Sequence, residues 1–193
     1  MAESAESEEI FWVDPRFRGI LPLDGFHISR SLARTLRQQD YEVTLDRDFE
    51  GVLRGCADRE ETWINPRIFS LYLALHRMGH AHSIEVWQCG QLAGGVYGVT
   101  LGGAFFGESM FSRIPSASKI ALAYLTDHLA RCGFTLFDTQ FITPHLATMG
   151  GVEIPRADYH DLLQDALQHE GDFLKETTLP PPQDILQRST QTS

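Results

Sequence analysis

An α+β fold, built on a mostly antiparallel sheet with flanking helices, is what this sequence predicts. Three observations carry the prediction. Apolar segments at 83–88, 91–101 and 104–112 are separated only by Cys89-Gly90 and Gly102-Gly103, and loops that short join antiparallel neighbours. An amphipathic run from Ser116 or Ser118 to Arg131 follows, stopped by Gly133. A short apolar strand then fills 135–141, and a helical crossover of that length returns a strand parallel to the preceding one.

In chain order, residues 1–10 are Glu-, Ser- and Ala-rich without apolar periodicity and read as a disordered acidic tail. Residues 11–82 read as an N-terminal portion packing on the core, with a loop-rich entry punctuated by Pro15, Gly19, Pro22 and Gly25. Ser29 is placed to cap a helix through about Gln38 that buries Leu32 and Leu36. Arg30, Arg34 and Arg37 share its other face, either as a solvated surface or as a stripe that meets phosphate. Tyr41–Leu45 alternates like a strand. Asp46 or Asp48 caps the next helix, through Cys56, with Phe49, Val52 and Leu53 as its buried side. Pro66 opens a helix to about Met78 with Ile68, Leu71, Tyr72 and Leu75 on its stripe, ended by Gly79. His80 and His82 have no third ligand at a supporting spacing and read as structural.

The core spans 83–170. Residues 144–149 make a helical turn, Tyr159–Leu167 a further helix, and 171–193, with Pro180–Pro182 and a polar finish, read as a tail.

Composition bounds the function. No run approaches the roughly 18 apolar residues of a membrane span, and no signal-peptide pattern opens the chain. Cys56, Cys89 and Cys132 lack metal or redox spacing and fit a reducing, cytoplasmic compartment. The net charge of -10 argues against generic nucleic-acid binding. Much of that acid lies in residues 1–9 and 158–176, however, which leaves room for a local basic face.

Two carboxylates, Glu108 and Asp138, sit inside otherwise apolar strand segments, with Gln140 on the face of Asp138. Desolvated polar groups need partners, and an active site explains them. The meander, crossover helix and parallel strand are how the N-acetyltransferase type of acyltransferase core (the GNAT-like fold) is assembled. The motifs narrow this. Gly-Glu-Ser-Met-Phe-Ser-Arg at 107–113, Ala-Ser-Lys at 117–119, Asp-Thr-Gln at 138–140, His-Leu-Ala at 145–147 and Glu-Ile-Pro-Arg at 153–156 resemble the signature set of the leucyl/phenylalanyl-tRNA-protein transferase family. His-Ile-Ser-Arg-Ser at 27–31, Cys-Ala-Asp-Arg-Glu at 56–60, Thr-Trp-Ile at 62–64 and 79–87 extend the match over about 11–167. That family normally carries an upstream segment with a Gly-Ile/Tyr-Phe-Pro stretch. Here Met1 leads directly into the acidic tail, so the N-terminal portion reads as truncated.

The resemblance implies transfer of Leu or Phe, less often Met, from aminoacyl-tRNA to the N-terminal Arg or Lys of acceptor proteins, marking them for degradation by the N-degron pathway. It implies no metal and no cofactor, and a monomer is expected. Asp138 and Gln140 match the catalytic pair. An amide is a very weak base, so either Asp138 polarises Gln140 or a water for proton transfer, or Gln140 only orients the reacting groups. Val96, Met110, Phe137, Leu122, Leu125 and Leu129 match the acyl-pocket wall, with Ser109 beside them. Phe106 reads as plain core. Glu108 is placed to accept from the aminoacyl α-ammonium, and Trp63 to stack on the terminal adenosine. Arg30, Arg34, Arg37, Arg113 and Lys119 are the candidate tRNA contacts, Lys119 near a helix N-terminus that favours phosphate.

Two other classes compete. An acetyl-CoA-dependent N-acetyltransferase normally has a Gly-containing pyrophosphate loop before the crossover helix. That position reads Arg-Ile-Pro-Ser-Ala-Ser at 113–118, without glycine. A non-catalytic binding module on the same fold has no need of Glu108, Asp138 and Gln140 together in apolar strands.

Overall fold

The computed structural model describes residues 13–59 and 62–191. The expected tail at 1–10, with Phe11 and Trp12, lies outside them. Seven strands form one sheet in the order β2-β3-β4-β5-β6-β1-β7. Its centre is the expected meander: β3 (Ala81–Gln88), β4 (Gln91–Leu101) and β5 (Ala104–Ser112), paired antiparallel. Cys89 and Gly90 both have positive φ, which lets a two-residue turn join β3 to β4. The crossover helix α4 (Ala117–Arg131) then delivers β6 (Leu136–Gln140) parallel to β5.

Two strands escaped the sequence reading. β1 (Phe17–Ile20) lies in the Pro- and Gly-punctuated entry, and β7 (Val152–Pro155) follows Gly150-Gly151. Both are four residues long and lie among Pro and Gly residues that read as loop. β1 pairs antiparallel with β6 on one side and β7 on the other, so the N-terminal portion completes the sheet beyond β6.

The helices cover both faces. α1 (Arg30–Gln38) is capped by Ser29, whose Oγ accepts from the Leu32 N–H, and it buries Leu32 and Leu36 with α4. α2 (Phe49–Ala57) is capped by Asp48, which accepts from the Gly51 N–H. Asp46 instead binds the Ser83 N–H and His82 Nδ1 at 2.7 Å each. That buries His82 as the structural histidine expected. α3 (Pro66–Arg77) packs with α2 over the opposite face, around Tyr97, Phe49 and Phe111. Its inner stripe is Ile68, Phe69, Tyr72 and Leu75; Leu71, expected there, is half exposed. α5 (Pro144–Ala147) and α6 (Arg156–Ala166) flank β6, β7 and β1.

Of the expected tail at 171–193, the described residues 171–191 correct that reading. Phe173 is buried and stacks on His82 and Phe105, and α7 (Pro182–Gln191) opens at the last of the three prolines. Arg188 from α7 pairs with Asp127 of α4 at 2.6 Å, and Ile185 is buried beneath. Glu176 pairs with Arg131 of α4 as well, and these apolar anchors and ion pairs dock a polar segment without giving a periodic signal.

One buried acid belongs to the scaffold. Glu85 in β3 is fully enclosed, accepting from Thr44 Oγ1, the Arg47 N–H and Ser83 Oγ. Burial pushes its carboxyl up to about 7 against those hydrogen bonds.

Candidate active site

The sheet opens where the parallel pairing stops. β5 and β6 are in register only over Ala104–Phe106 against Leu136–Asp138. Beyond that point β5 continues to Ser112 without β6 beside it, and a bulge at Tyr97/Gly98 bends its pairing with β4. Gly98 is required there, since a Cβ would lie 2.3 Å from the Phe106 carbonyl oxygen. The wedge between the diverging strands holds a cavity of about 450 Å³, a size that suits a small acyl group with its attached atoms.

Its wall is apolar with a few convergent polar groups. Val96, Met110, Phe111, Leu122 and Phe137 supply the apolar surface; Glu108, Ser109, Thr139 and Gln140 supply polar atoms; and Trp63 stands at the rim, edge-on to Tyr72 with ring centres 6.2 Å apart. Burial raises the Glu108 carboxyl above its ordinary range, opposed by the Tyr72 hydroxyl, which hydrogen-bonds to it. A cation brought into the cavity would restore its charge. A larger groove of about 660 Å³ lies between α4, α7 and residues 20–28. Of its charged side chains, Arg131 and Arg188 are both paired with Asp127.

Asp138 is not in the cavity wall but directly behind it, with no exposed surface. Arg18 of β1 donates to it through Nε at 3.0 and 3.2 Å and through Nη2 at 2.7 Å. Tyr159 of α6 donates its hydroxyl at 2.7 Å, and the Gln140 backbone N–H donates at 2.7 Å. Gln140 has φ 58°, in the left-handed region that a non-Gly residue rarely adopts. The carboxylate therefore secures the turn that ends β6 and presents the Gln140 side chain to the cavity.

Most of the sequence-derived wall meets here: Val96, Met110, Phe137, Leu122, Ser109, Glu108, Trp63 and Gln140. Leu125 and Leu129 do not. They are fully buried in the core between α4 and the sheet. The helix period puts them on the stripe of Leu122, but only the first turns of α4 reach the wedge, and the later ones pass over intact sheet. Phe106 packs in the core beside β1 and α6, as read. Arg30, Arg34 and Arg37 are exposed on α1 and make no ion pair among the described residues. Arg113 lies over the Phe111 ring at 5.2 Å and donates to the Leu92 carbonyl. Lys119 stands in the first turn of α4, close enough to His145 to act on its charge.

Sequence reasoning missed Arg18 and Tyr159, which carry no motif signal, and gave no role to Arg59 and His145, although both fall inside motifs it used. Arg59 lines the cavity and donates to the Met110 carbonyl. Among the described residues no group of acidic, His or Cys side chains could hold a metal. The start of α4 does not offer its N–H groups to a pyrophosphate either: the Ser118 N–H is taken by Ser112 Oγ at 2.8 Å.

The family model described as leucyl/phenylalanyl-tRNA protein transferase matches residues 20–164, from β1 to within α6, with the whole cavity inside. The chain belongs to that family. The transferase named leucyl/phenylalanyl-tRNA–protein transferase from Cereibacter sphaeroides (strain ATCC 17025 / ATH 2.4.3) is 63% identical over the full chain, which covers 90% of that relative. Its namesake from Ruegeria sp. (strain TM1040) is 64% identical over the full chain and 91% of its own length. Among solved structures, FemX superposes with a TM-score of 0.55 over 83% of this chain and 66% of its own, at 11% identity. That likeness shows the acyltransferase fold expected from the sequence. As a member of this transferase family the protein is an aminoacyltransferase, which moves an aminoacyl group from tRNA to protein.

Proposed function

We propose that the wedge between β5 and β6 takes Leu or Phe, less often Met, as the tRNA ester and transfers it to the N-terminal Arg or Lys of acceptor proteins. The observation that carries this reading is the gathering of an apolar wall, a buried carboxyl and an oriented amide in one cavity.

The ester is already activated, so the reaction needs a neutral amine, an oriented carbonyl and one proton relocated. Val96, Met110, Leu122 and Phe137 select the acyl side chain by shape. One methylene is worth about 1–3 kcal/mol in such a pocket, so rejection of β-branched residues rests on crowding near Cβ. Glu108 accepts from the aminoacyl α-ammonium, whose charge the carboxyl regains on contact. Trp63 stacks on the terminal adenosine. Gln140 orients the reacting groups through its amide; Asp138, saturated by Arg18, Tyr159 and the Gln140 N–H, is a positioning residue.

The single-stranded 3′ end of the aminoacyl-tRNA is held by exposed arginines on α1 together with Arg113, Lys119 and Arg59, through phosphate rather than base sequence. Glu108, once a cation restores its charge, favours a cationic first residue on the acceptor, whereas the charge of Asp138 is offset by Arg18. The protein acts as a cytoplasmic monomer without metal or cofactor, and its products enter the N-degron route to degradation.

The test is incubation with labelled Leu-tRNA and peptides that begin with Arg, Lys, Asp or N-acetyl-Arg. Label should appear in the first two peptides and in neither of the others. Equal labelling of the Asp peptide contradicts the acceptor reading; no labelling of any contradicts the transfer itself.

A further inference from the structure

Among the described residues, four buried side-chain polar atoms lack a hydrogen-bond partner, and two of them, Thr139 Oγ1 and His145 Nε2, belong to residues that line this one cavity. Buried polar atoms are normally satisfied, so orphans in residues that line a substrate cavity mark contacts that the substrate completes. His145 sits on α5, held against the cavity by the Thr143 cap and by buried Leu146. We propose that His145 is a catalytic residue, which takes the proton from the attacking amine and delivers it to the departing ribose oxygen. The proposal rests on the reading of this cavity as the place of transfer.

The chemistry requires such a group. When the amine nitrogen attacks, an N–C bond forms and the carbonyl carbon becomes tetrahedral. The cationic nitrogen then leaves more readily than an alkoxide, so the adduct reverts unless a proton moves. If Nε2 accepts that proton from nitrogen and gives it to the ribose oxygen as the C–O bond breaks, the amide and a free hydroxyl result. Histidine is returned unchanged, so the step consumes no other reactant.

Other groups at the site do this poorly. The Gln140 amide is too weak a base, and Asp138 is saturated and outside the cavity wall. Glu108 lies on the α3 side with Tyr72 and is engaged by the aminoacyl ammonium in this account. The charged groups around the cavity are Lys119 on α4, Arg59 after α2, Glu108 on β5 and Asp138 behind β6, and it is Lys119 that acts on the imidazole. Burial first, and Lys119 second, hold His145 below its ordinary range. The imidazole is therefore neutral, and able to accept, at physiological pH.

Single-turnover transfer from saturating Leu-tRNA to limiting Arg-initiated peptide, followed from pH 5 to 7.5, tests the proposal. In the wild type the rate should fall toward acid with the first power of proton concentration near neutral pH, as the amine protonates, and steepen to the second power at the acid end, where His145, held below its ordinary range, protonates as well. His145→Gln and His145→Asn should lower the rate at neutral pH by about 100-fold and show a first-power fall, with affinity for Leu-tRNA kept within about threefold of wild type. Added imidazole should restore part of the rate to His145→Ala. Overturning results are a His145→Gln rate within threefold of wild type, an unaltered acid limb in both variants, or loss of that limb in Glu108→Gln instead. A changed amino-acid preference in Met110→Ala reports on the cavity independently of His145.

Discussion

Asp138 holds Gln140 by its backbone: the carboxylate accepts the Gln140 N–H at 2.7 Å, and the amide side chain turns away into the cavity. Sequence alone left two roles open for this pair, proton relay or orientation. The carboxylate that a relay would use is occupied by Arg18, Tyr159 and the backbone. Orientation is the role this geometry favours, with the left-handed Gln140 as the strained element that the anchor secures.

The anchor should matter for folding as well as for rate. Asp138→Ala leaves Arg18 without its buried counter-ion and should cost about 3–5 kcal/mol of stability. Tyr159→Phe removes one of several hydrogen bonds and should cost about 1–2 kcal/mol, with transfer reduced less than tenfold. Urea unfolding of both variants checks the order; a Tyr159→Phe loss equal to that of Asp138→Ala contradicts it.

The pocket wall divides in two. Met110→Ala and Val96→Ala should relax discrimination among Leu-, Phe- and Val-tRNA while leaving tRNA affinity nearly intact. Leu125→Ala and Leu129→Ala should instead lose about 2–5 kcal/mol of stability with the preference unchanged, because both lie in the core rather than in the cavity. Competition between charged tRNAs, beside thermal unfolding, separates the two groups.

Glu85 gives a pH prediction whose sign is fixed. Its folded value of about 7 lies above the ordinary 4.5. Its protonated form is therefore favoured by folding, and the stability it contributes is full below pH 4.5 and lost as pH rises through 7. Glu85→Gln should remove that dependence and be more stable than wild type at pH 8 by about 1–3 kcal/mol. Urea midpoints at pH 5 and pH 8 decide it; parallel curves for the two proteins contradict it.

Much of this was legible in the residues. The short turns and the long crossover dictated the meander and its parallel return, and of the two acids inside apolar strands Glu108 lines the cavity while Asp138 lies behind it. What stayed hidden has physical causes. β1 and β7 lie among Pro and Gly residues that read as loop, and they exist because β6 offers an edge to β1 and β1 in turn offers one to β7. Arg18 and Tyr159 reach Asp138 from 120 and 21 residues away, a pairing that no local pattern encodes. Leu125 and Leu129 share a helix face with Leu122, yet the divergence of β5 from β6 decides which of the three meets the cavity.

If the α1 arginines carry tRNA, binding is electrostatic where it touches. Affinity for Leu-tRNA and Phe-tRNA should fall with salt, by a modest slope of about 0.7 per single-strand phosphate engaged. Reversal of charge at Arg30 and Arg34 together should weaken both alike. Affinity indifferent to salt, or a double variant that binds like wild type, removes this face from the interface.

The most direct measurement is single-turnover transfer by Gln140→Ala, with Leu-tRNA affinity measured beside it. An amide that orients the reacting groups should be missed in the chemical step, so the rate should fall by about 100-fold or more, with the affinity changed less than threefold. Parallel losses of rate and affinity, or a rate near wild type, would contradict the cavity between β5 and β6 as the place where Gln140 directs aminoacyl transfer.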